Sequence, residues 1–260
     1  MGLVAVVLAA CGLLYEREAS QIAGRQQDLE TVRVNLLTQL LRSKLSPAIA
    51  DVRTLATGDG LRNYLETGQP AALQAAIQRA VFFSLAKPLY DEVRYLDENG
   101  QEIIRVNQGG QVAAAAKLQN KATRAYFRQA NALAAGMMFI SSFDLNFEGP
   151  QTTTPPKPTL RFAVPVFDSS GRRRGIYIIN CLGADLITEL QNAAPVLFKR
   201  VRLLNAQGYW LKGASPSEEW GFVLPQRASF TLARTDPQLW VKIQTTTEGQ
   251  ATFKIGRAHV

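Results

Sequence analysis

Between Glu16 and Thr57 the chain holds a single glycine, Gly24, and a single proline, Pro47. Apolar residues recur there at Leu29, Val32, Leu36 and Leu40, then at Leu45, Ile49, Val52 and Leu55. Steps of three to five residues draw one stripe along a helix, and Leu37 and Leu41 widen it. The segment predicts one long helix, which Pro47 either bends or divides. "ATGDG" at 56–60 stops it, and the stretch that follows predicts two shorter helices broken at Gly68 and Pro70. Whatever else this chain builds is built beside a rod.

Both ends of the chain are unusual. "GLVAVVLAACGLLY" is uncharged from Gly2 to Tyr15, but a bilayer-spanning helix needs about 20 apolar residues. A signal peptide would show a basic start and a small-residue cleavage site. A lipoprotein signal is suggested by "LAAC", yet the residues after Cys11 stay apolar. The favoured expectation is an incomplete membrane helix over 1–15. At the other end, "IGRAHV" back-translates into a widely used sequencing adapter. Residues 255–260 are therefore expected to be a non-native tail, and the protein to continue past about Lys254. His259, the only histidine, would not belong to it.

After residue 91 the pattern changes from helical to alternating. "VRYLDENGQEIIRVN" is a hairpin around Asn99-Gly100. "LQNKATRAYFRQANALAAG" predicts a helix ending at Gly136, and "MMFISSFDLN" a strand. "EGPQTTTPPKP" is a loop too rich in proline for a central strand. "TLRFAVPVFD" and "IYIINCLG" are strands joined at "SSGRRRG", and "ADLITELQNA" is a helix. This order predicts an α+β unit with an antiparallel sheet. From Val201, "VRLLNAQGYWLKG" repeats the hairpin pattern, and "SFTLA" and "LWVKIQT" are expected as strands. That second unit is small for an independent core.

Several function classes find no support. The formal net charge is +8, but the basic residues are dispersed, and "GRRRG" is expected as a solvated turn rather than a nucleic-acid patch. One histidine and two cysteines build no metal cage, and Cys11 and Cys181 are not expected to pair. No glycine-rich phosphate loop precedes a helix, and a Ser-His or Cys-His pair would have to use His259. No catalytic residue and no cofactor is expected in these residues.

The strings "RYLDENGQEIIRVN", "LQNKATRAYF", "FISSFDLNFEG", "KPTLRFAVPVFDSSG", "GIYIIN" and "GYWLKGASPSEEWGF" occur in that order. Together they resemble the double-Cache, PAS-like extracellular sensor domains of bacterial receptors, the subgroup found on sensor histidine kinases and diguanylate cyclases. The resemblance spans about residues 29–250. It implies an α+β fold with a long N-terminal helix and two PAS-like antiparallel-sheet units. It divides the chain into a transmembrane segment at 1–15 and a stalk with connecting helices at 16–91. A membrane-distal sensor unit would occupy 92–194 and a membrane-proximal unit 195–254. It further implies a periplasmic sensor rooted in the inner membrane of a bacterium, acting as a parallel homodimer. The sensor would bind a small molecule, a carboxylate or an amino acid, and signal to a histidine kinase or diguanylate cyclase module. Two departures stand out. Thr123 and Ala125 replace an expected Asp and Tyr, and "SSFDLN" brings Ser142 and Phe143 where "SPLDLN" is usual. The relatives' ligand is therefore not carried over.

Candidate ligand contacts follow from alternation and helical spacing. On the strand around Phe139, Ser142 and Asp144 share a face, and Asp144 is placed to meet Arg161 across the sheet. The same two residues serve equally as a structural ion pair closing the proline-rich loop. Lys121, Arg124 and Tyr126 are expected on one surface of the middle helix, where two cations beside a tyrosine suit a carboxylate. A solvated helix face is the competing reading. The hairpin is expected to be mainly scaffold, with Arg105 as its one ligand contact. "EEWGF" places Trp220 either in a docking surface or as a plug for a thin core. The expected pocket is mostly apolar with a few polar groups. The alternative function is a ligand-free scaffold, or a docking domain for a periplasmic binding protein.

Overall fold

The structure, a computed structural model, describes residues 2–145, 147–148, 151–152, 157–199 and 201–246. Parts of the proline-rich loop, the end of the second unit and the expected tail at 255–260 lie outside the described residues. Three helices come first: α1 (Gly2–Ala56), α2 (Asp59–Thr67) and α3 (Pro70–Ala86). Strands β1 (Tyr90–Leu96), β2 (Glu102–Asn107) and β3 (Gln111–Val112) follow, then α4 (Ala125–Asn131). The short strands β4 (Phe139–Ile140), β5 (Asp144–Leu145), β6 (Phe147–Glu148) and β7 (Gln151–Thr152) lead to the long pair β8 (Pro158–Phe167) and β9 (Arg173–Leu182). The chain closes with α5 (Gly183–Ala193), α6 (Pro195–Phe198), β10 (Leu203–Leu204), β11 (Trp210–Lys212), α7 (Leu232–Thr235) and α8 (Pro237–Thr245). The fold is α+β.

The main sheet is antiparallel, in the order β3-β2-β1-β9-β8-β4, with β5 also on β8. One face carries Val93, Tyr95, Ile104, Val106, Phe162, Val164, Tyr177 and Ile179. Against it pack Ala48, Val52 and Leu55 of α1, Leu61 and Leu65 of α2, and Ala76 and Ala80 of α3. The other face is apolar only at one end, where Leu96, Ala163, Ile176 and Ile178 sit under Phe127 and Ala130 of α4. The rest of that face is polar and open.

The expected rod is one continuous helix of 55 residues, about 82 Å long at 1.5 Å per residue. Pro47 lies inside it without dividing it. The hydroxyl of Ser46 donates to the Arg42 carbonyl at 2.7 Å, in the turn where proline removes a backbone donor. The C-terminal part of α1 is clasped: Leu40, Leu41 and Leu45 pack on Leu186, Leu190 and Phe198. Further up, Ile22, Leu29, Val32 and Leu36 are exposed. The apolar run at 2–15 forms the first turns of α1. Among the described residues no helix is long and apolar enough to cross a membrane.

Four local expectations are corrected. The middle helix covers only 125–131. Residues 119–121 instead run beside the hairpin, where Glu102 N donates to Gln119 O at 3.0 Å and Lys121 N to Gly100 O at 2.7 Å. Asn120 holds that course, donating to Asn99 O and accepting from Ala122 N. The strand expected over "MMFISSFDLN" survives as two short pieces, both on β8. Of the strands expected at "SFTLA" and "LWVKIQT", the first keeps a single bridge, Thr231 to Tyr209, before α7 begins at Leu232, and the second lies within α8. The Thr231 hydroxyl caps α7 and the Asp236 carboxylate caps α8, with Pro237 in the first turn. Three capping signals in seven residues outweigh the β-branched character of the run. Among the described residues, the second unit's sheet is the β10–β11 hairpin, with one antiparallel bridge from Tyr209 to Thr231. The "GRRRG" turn is solvated only at Arg172. Arg173 donates to Leu133 O at 2.8 Å, and Arg174 reaches Leu65 O at 3.2 Å.

Candidate functional site

The polar half of the open sheet face is built by alternation. Arg94 on β1 stands directly opposite Arg105 on β2, and Arg161 on β8 opposite Asn180 on β9. Like charges directly opposed destabilise a sheet unless something lies between them. Here Glu102 does: its carboxylate meets Arg94 at 3.3 Å and Arg105 at 3.3 Å, and its side chain has no exposed surface. Arg94 also meets Glu92 at 3.3 Å and donates to Asn180 Oδ1 at 3.0 Å, while Asn180 donates back to Glu92 at 2.8 Å. Burial opposes the charge of Arg94, but Glu92, Tyr126 and Glu102 outweigh it and raise its pKa.

Tyr126, in the first turn of α4, lies over this network. Its ring centroid is 5.3 Å from the Arg161 guanidinium and 5.8 Å from that of Arg94, so two cations face one aromatic ring. Arg161 is buried, and its pKa is lowered by burial and by the nearby Arg94. Lys121 is buried too, donating to Gln119 Oε1 at 2.6 Å, and burial and Arg94 lower its pKa in turn. Asp144 stands opposite Thr159 rather than Arg161, although its carboxylate still acts electrostatically on Arg161. At the far end Lys157 meets Asp91 at 3.3 Å. Burial, then Glu92, raise the pKa of Asp91, and its Oδ2 has no hydrogen-bond partner among the described residues.

These groups surround a cavity of about 940 Å³. Its wall holds seven cationic side chains (Arg94, Arg105, Lys117, Lys121, Arg124, Lys157 and Arg161) against three carboxylates, Asp91, Glu92 and Asp144. The expectation of a mostly apolar pocket is corrected. The apolar side chains of this sheet face are spent under α4, which leaves charge to line the rest. Among the described residues no group of three His, Cys, Asp or Glu side chains could hold a metal ion.

All seven candidate residues, Lys121, Arg124, Tyr126, Ser142, Asp144, Arg161 and Arg105, line this one cavity. Their arrangement differs from expectation. Lys121 and Arg124 do not share a helical surface: they flank a turn in which Arg124 N donates to Lys121 O at 2.9 Å, and Arg124 is the N-cap of α4. Arg94, Glu92, Asp91 and Lys157 were not among the candidates. Arg94 was legible, because an Asn-Gly turn at 99–100 sets it against Arg105, and cross-strand partners share a face.

A second cleft of about 580 Å³ lies between α1, α5 and the β10–β11 unit, and its wall is mostly apolar. Trp220 is buried beside Leu211, with Leu203, Phe222 and Phe143 packed around them, so it plugs a core rather than forming a surface.

A family model described as the sensor domain of bacterial histidine kinases matches residues 41–257. Among solved structures, one similar fold is the extracellular domain of a protein assigned as a histidine kinase. It is 22% identical, with 86% of this chain and 83% of that chain covered and a TM-score of 0.71. Another is a domain of a protein from Vibrio parahaemolyticus assigned to the sensory box/GGDEF family. It is 22% identical, with 86% and 87% covered and a TM-score of 0.72. At this identity the likeness speaks for the fold alone. A search of curated proteins found no match.

Proposed function

The chain belongs to the sensor domains of bacterial histidine kinases, and on that premise we propose that its charged cavity binds a small anionic ligand, a carboxylate or an amino acid. The domain stands outside the bacterial inner membrane, is rooted there through the N-terminal end of α1, and works as a parallel homodimer. It signals along α1 to an output module, a histidine kinase or a diguanylate cyclase. One observation carries this reading: seven cations face three carboxylates around a single cavity. Two of those cations, Lys121 and Arg161, have their charge disfavoured by burial and by Arg94. An incoming carboxylate relieves both, and arginine offers it two parallel donors. A ligand-free scaffold calls for a filled sheet face, which this is not.

The route to the rod runs through β1. Asp91 and Glu92 line the cavity, and the adjacent Tyr90 donates from its hydroxyl to Asp51 of α1 at 2.6 Å on the opposite face. A ligand shifts such an equilibrium only by its difference in affinity for the two states.

The test is a thermal-shift screen of the full chain with amino acids, amines and small carboxylates. A ligand at 100 times its dissociation constant should add about 2.7 kcal/mol. Arg124→Ala and Lys121→Met should each abolish the shift given by a carboxylate. A carboxylate whose binding both variants leave intact removes the cavity from the reading.

A further inference from the structure

The segment around β5 faces two ways. Ser142 and Asp144 line the charged cavity, while Phe143 between them lines the apolar cleft. The Phe143 ring meets Trp220 edge-on, 5.5 Å between centroids and 73° between planes. It thereby joins the main sheet to the core of the second unit around Leu211 and Trp220. The ring also rests on Gly183, the first residue of α5, so closely that a Cβ there would fall within it. Only glycine leaves that seat open. From Gly183, α5 carries Leu186 and Leu190 onto Leu40, Leu41 and Leu45 of α1.

The other side of the seat is strained. Trp220 has φ 64°, the one non-glycine residue in the left-handed region among the described residues. A bulky side chain holds that conformation only where its surroundings impose it, and such positions gather at switching elements. Packed contacts of this kind move between discrete arrangements rather than deform continuously.

We propose that Phe143 is a wedge that couples the cavity to the second unit. Entry of an anion displaces Ser142 and Asp144, and the ring between them passes the displacement to the Trp220 turn and to α5. The proposal rests on the reading of the cavity as an anion site, and its test judges the two separately.

All three tryptophans, Trp210, Trp220 and Trp240, belong to the second unit, so tryptophan emission reports that unit and, through Trp220, its contact with Phe143. The full chain carrying Cys11→Ser and Ser142→Cys is labelled with 2-sulfonatoethyl methanethiosulfonate, which tethers a sulfonate at the cavity wall. A second sample receives the neutral methyl methanethiosulfonate. Cys181 is buried and its thiol is pushed up to about 12, so it stays unlabelled. The sulfonate adduct should melt higher than the neutral adduct, and its tryptophan emission should shift. With Phe143→Leu added, the melting difference should persist and the emission shift should vanish; with Phe143→Tyr both should remain. Gly183→Ala, at a residue that does not line the cavity, evicts the ring and should also lose the emission shift. A sulfonate that shifts no emission overturns the wedge. An emission shift that survives Gly183→Ala or Phe143→Leu overturns it too, and the Gly183→Ala arm decides where Phe143→Leu fails to fold. A sulfonate adduct that melts no higher than the neutral one overturns the anion reading itself.

Discussion

Arg94 carries its charge at 3% exposure, between the carboxylates of Glu92 and Glu102. Removing one partner of a buried ion pair leaves an uncompensated charge, at a cost of about 3–5 kcal/mol. Arg94→Met should therefore lower unfolding free energy in urea titrations, by less than that full cost because Glu102 keeps Arg105 and Glu92 keeps Asn180. Arg105→Met should cost less, because Arg105 keeps some access to water and Glu102 retains Arg94. Asp91 behaves in the opposite sense. Its carboxyl titrates above the ordinary carboxylate range when folded, through burial and the nearby Glu92. The folded chain thus holds a proton that the unfolded chain has released. This favours folding at acid pH and is lost as pH rises through the raised value. Asp91→Asn should melt higher than the parent near pH 7, and the two melting curves should converge on acidification; parallel curves would contradict the assignment. At this scale the sequence was legible wherever alternation applies. Arg161 and Arg105 lie on their strands as counting places them, whereas alternation breaks between β4 and β5, where Phe139, Ser141, Ser142 and Asp144 all line the cavity. Arg94 was passed over although the Asn-Gly turn sets it opposite Arg105, because the position of Glu102 beneath both does not follow from alternation.

At the scale of elements, strong periodicity was readable and short-range competition was not. The long helix, the breaks at Gly68 and Pro70, the first hairpin and the β8–β9 pair all follow from patterns spanning many residues. The run 118–124 was expected to be helical and is not. Asn120 and the hairpin backbone offer it hydrogen bonds that a helix would have to outbid. In the second unit the caps at Thr231 and Asp236 decide for helix, against side chains that favour strand. Gly100 shows how tightly these elements interlock: its φ is 77°, and an added Cβ would meet the Ala122 backbone at 2.6 Å. Gly100→Ala should destabilise the chain and also weaken anion binding, since it pushes away the segment that carries Lys121. On α1, exposed Ile22, Leu29, Val32 and Leu36 are spaced by seven, three and four residues. That is the spacing of a two-stranded seam. Leu29→Glu with Leu36→Glu should convert a dimer to a monomer in analytical ultracentrifugation and leave the sheet domain folded. A parent chain already monomeric at high concentration would defeat the dimer proposal.

For the whole molecule, the formal charge of +8 is less informative than its distribution. The cavity wall carries seven cationic side chains against three carboxylates. Attraction of an anion to such a wall is screened over about 10 Å at 0.1 M salt. Carboxylate affinity should fall steadily as sodium chloride rises, with the steepest loss below about 0.1 M, and an apolar ligand would show no such trend. The sheet, its helices and the cavity form one body, and α1 runs out of it for much of its length. That overhang has its own consequence. A lone helical stretch in water holds its backbone hydrogens only weakly. Deuterium should enter the amides of 16–36 within the first moments of exchange and reach those of 45–55 last. Slow uptake near Leu29 in concentrated samples would then show directly that another chain has come to lie alongside.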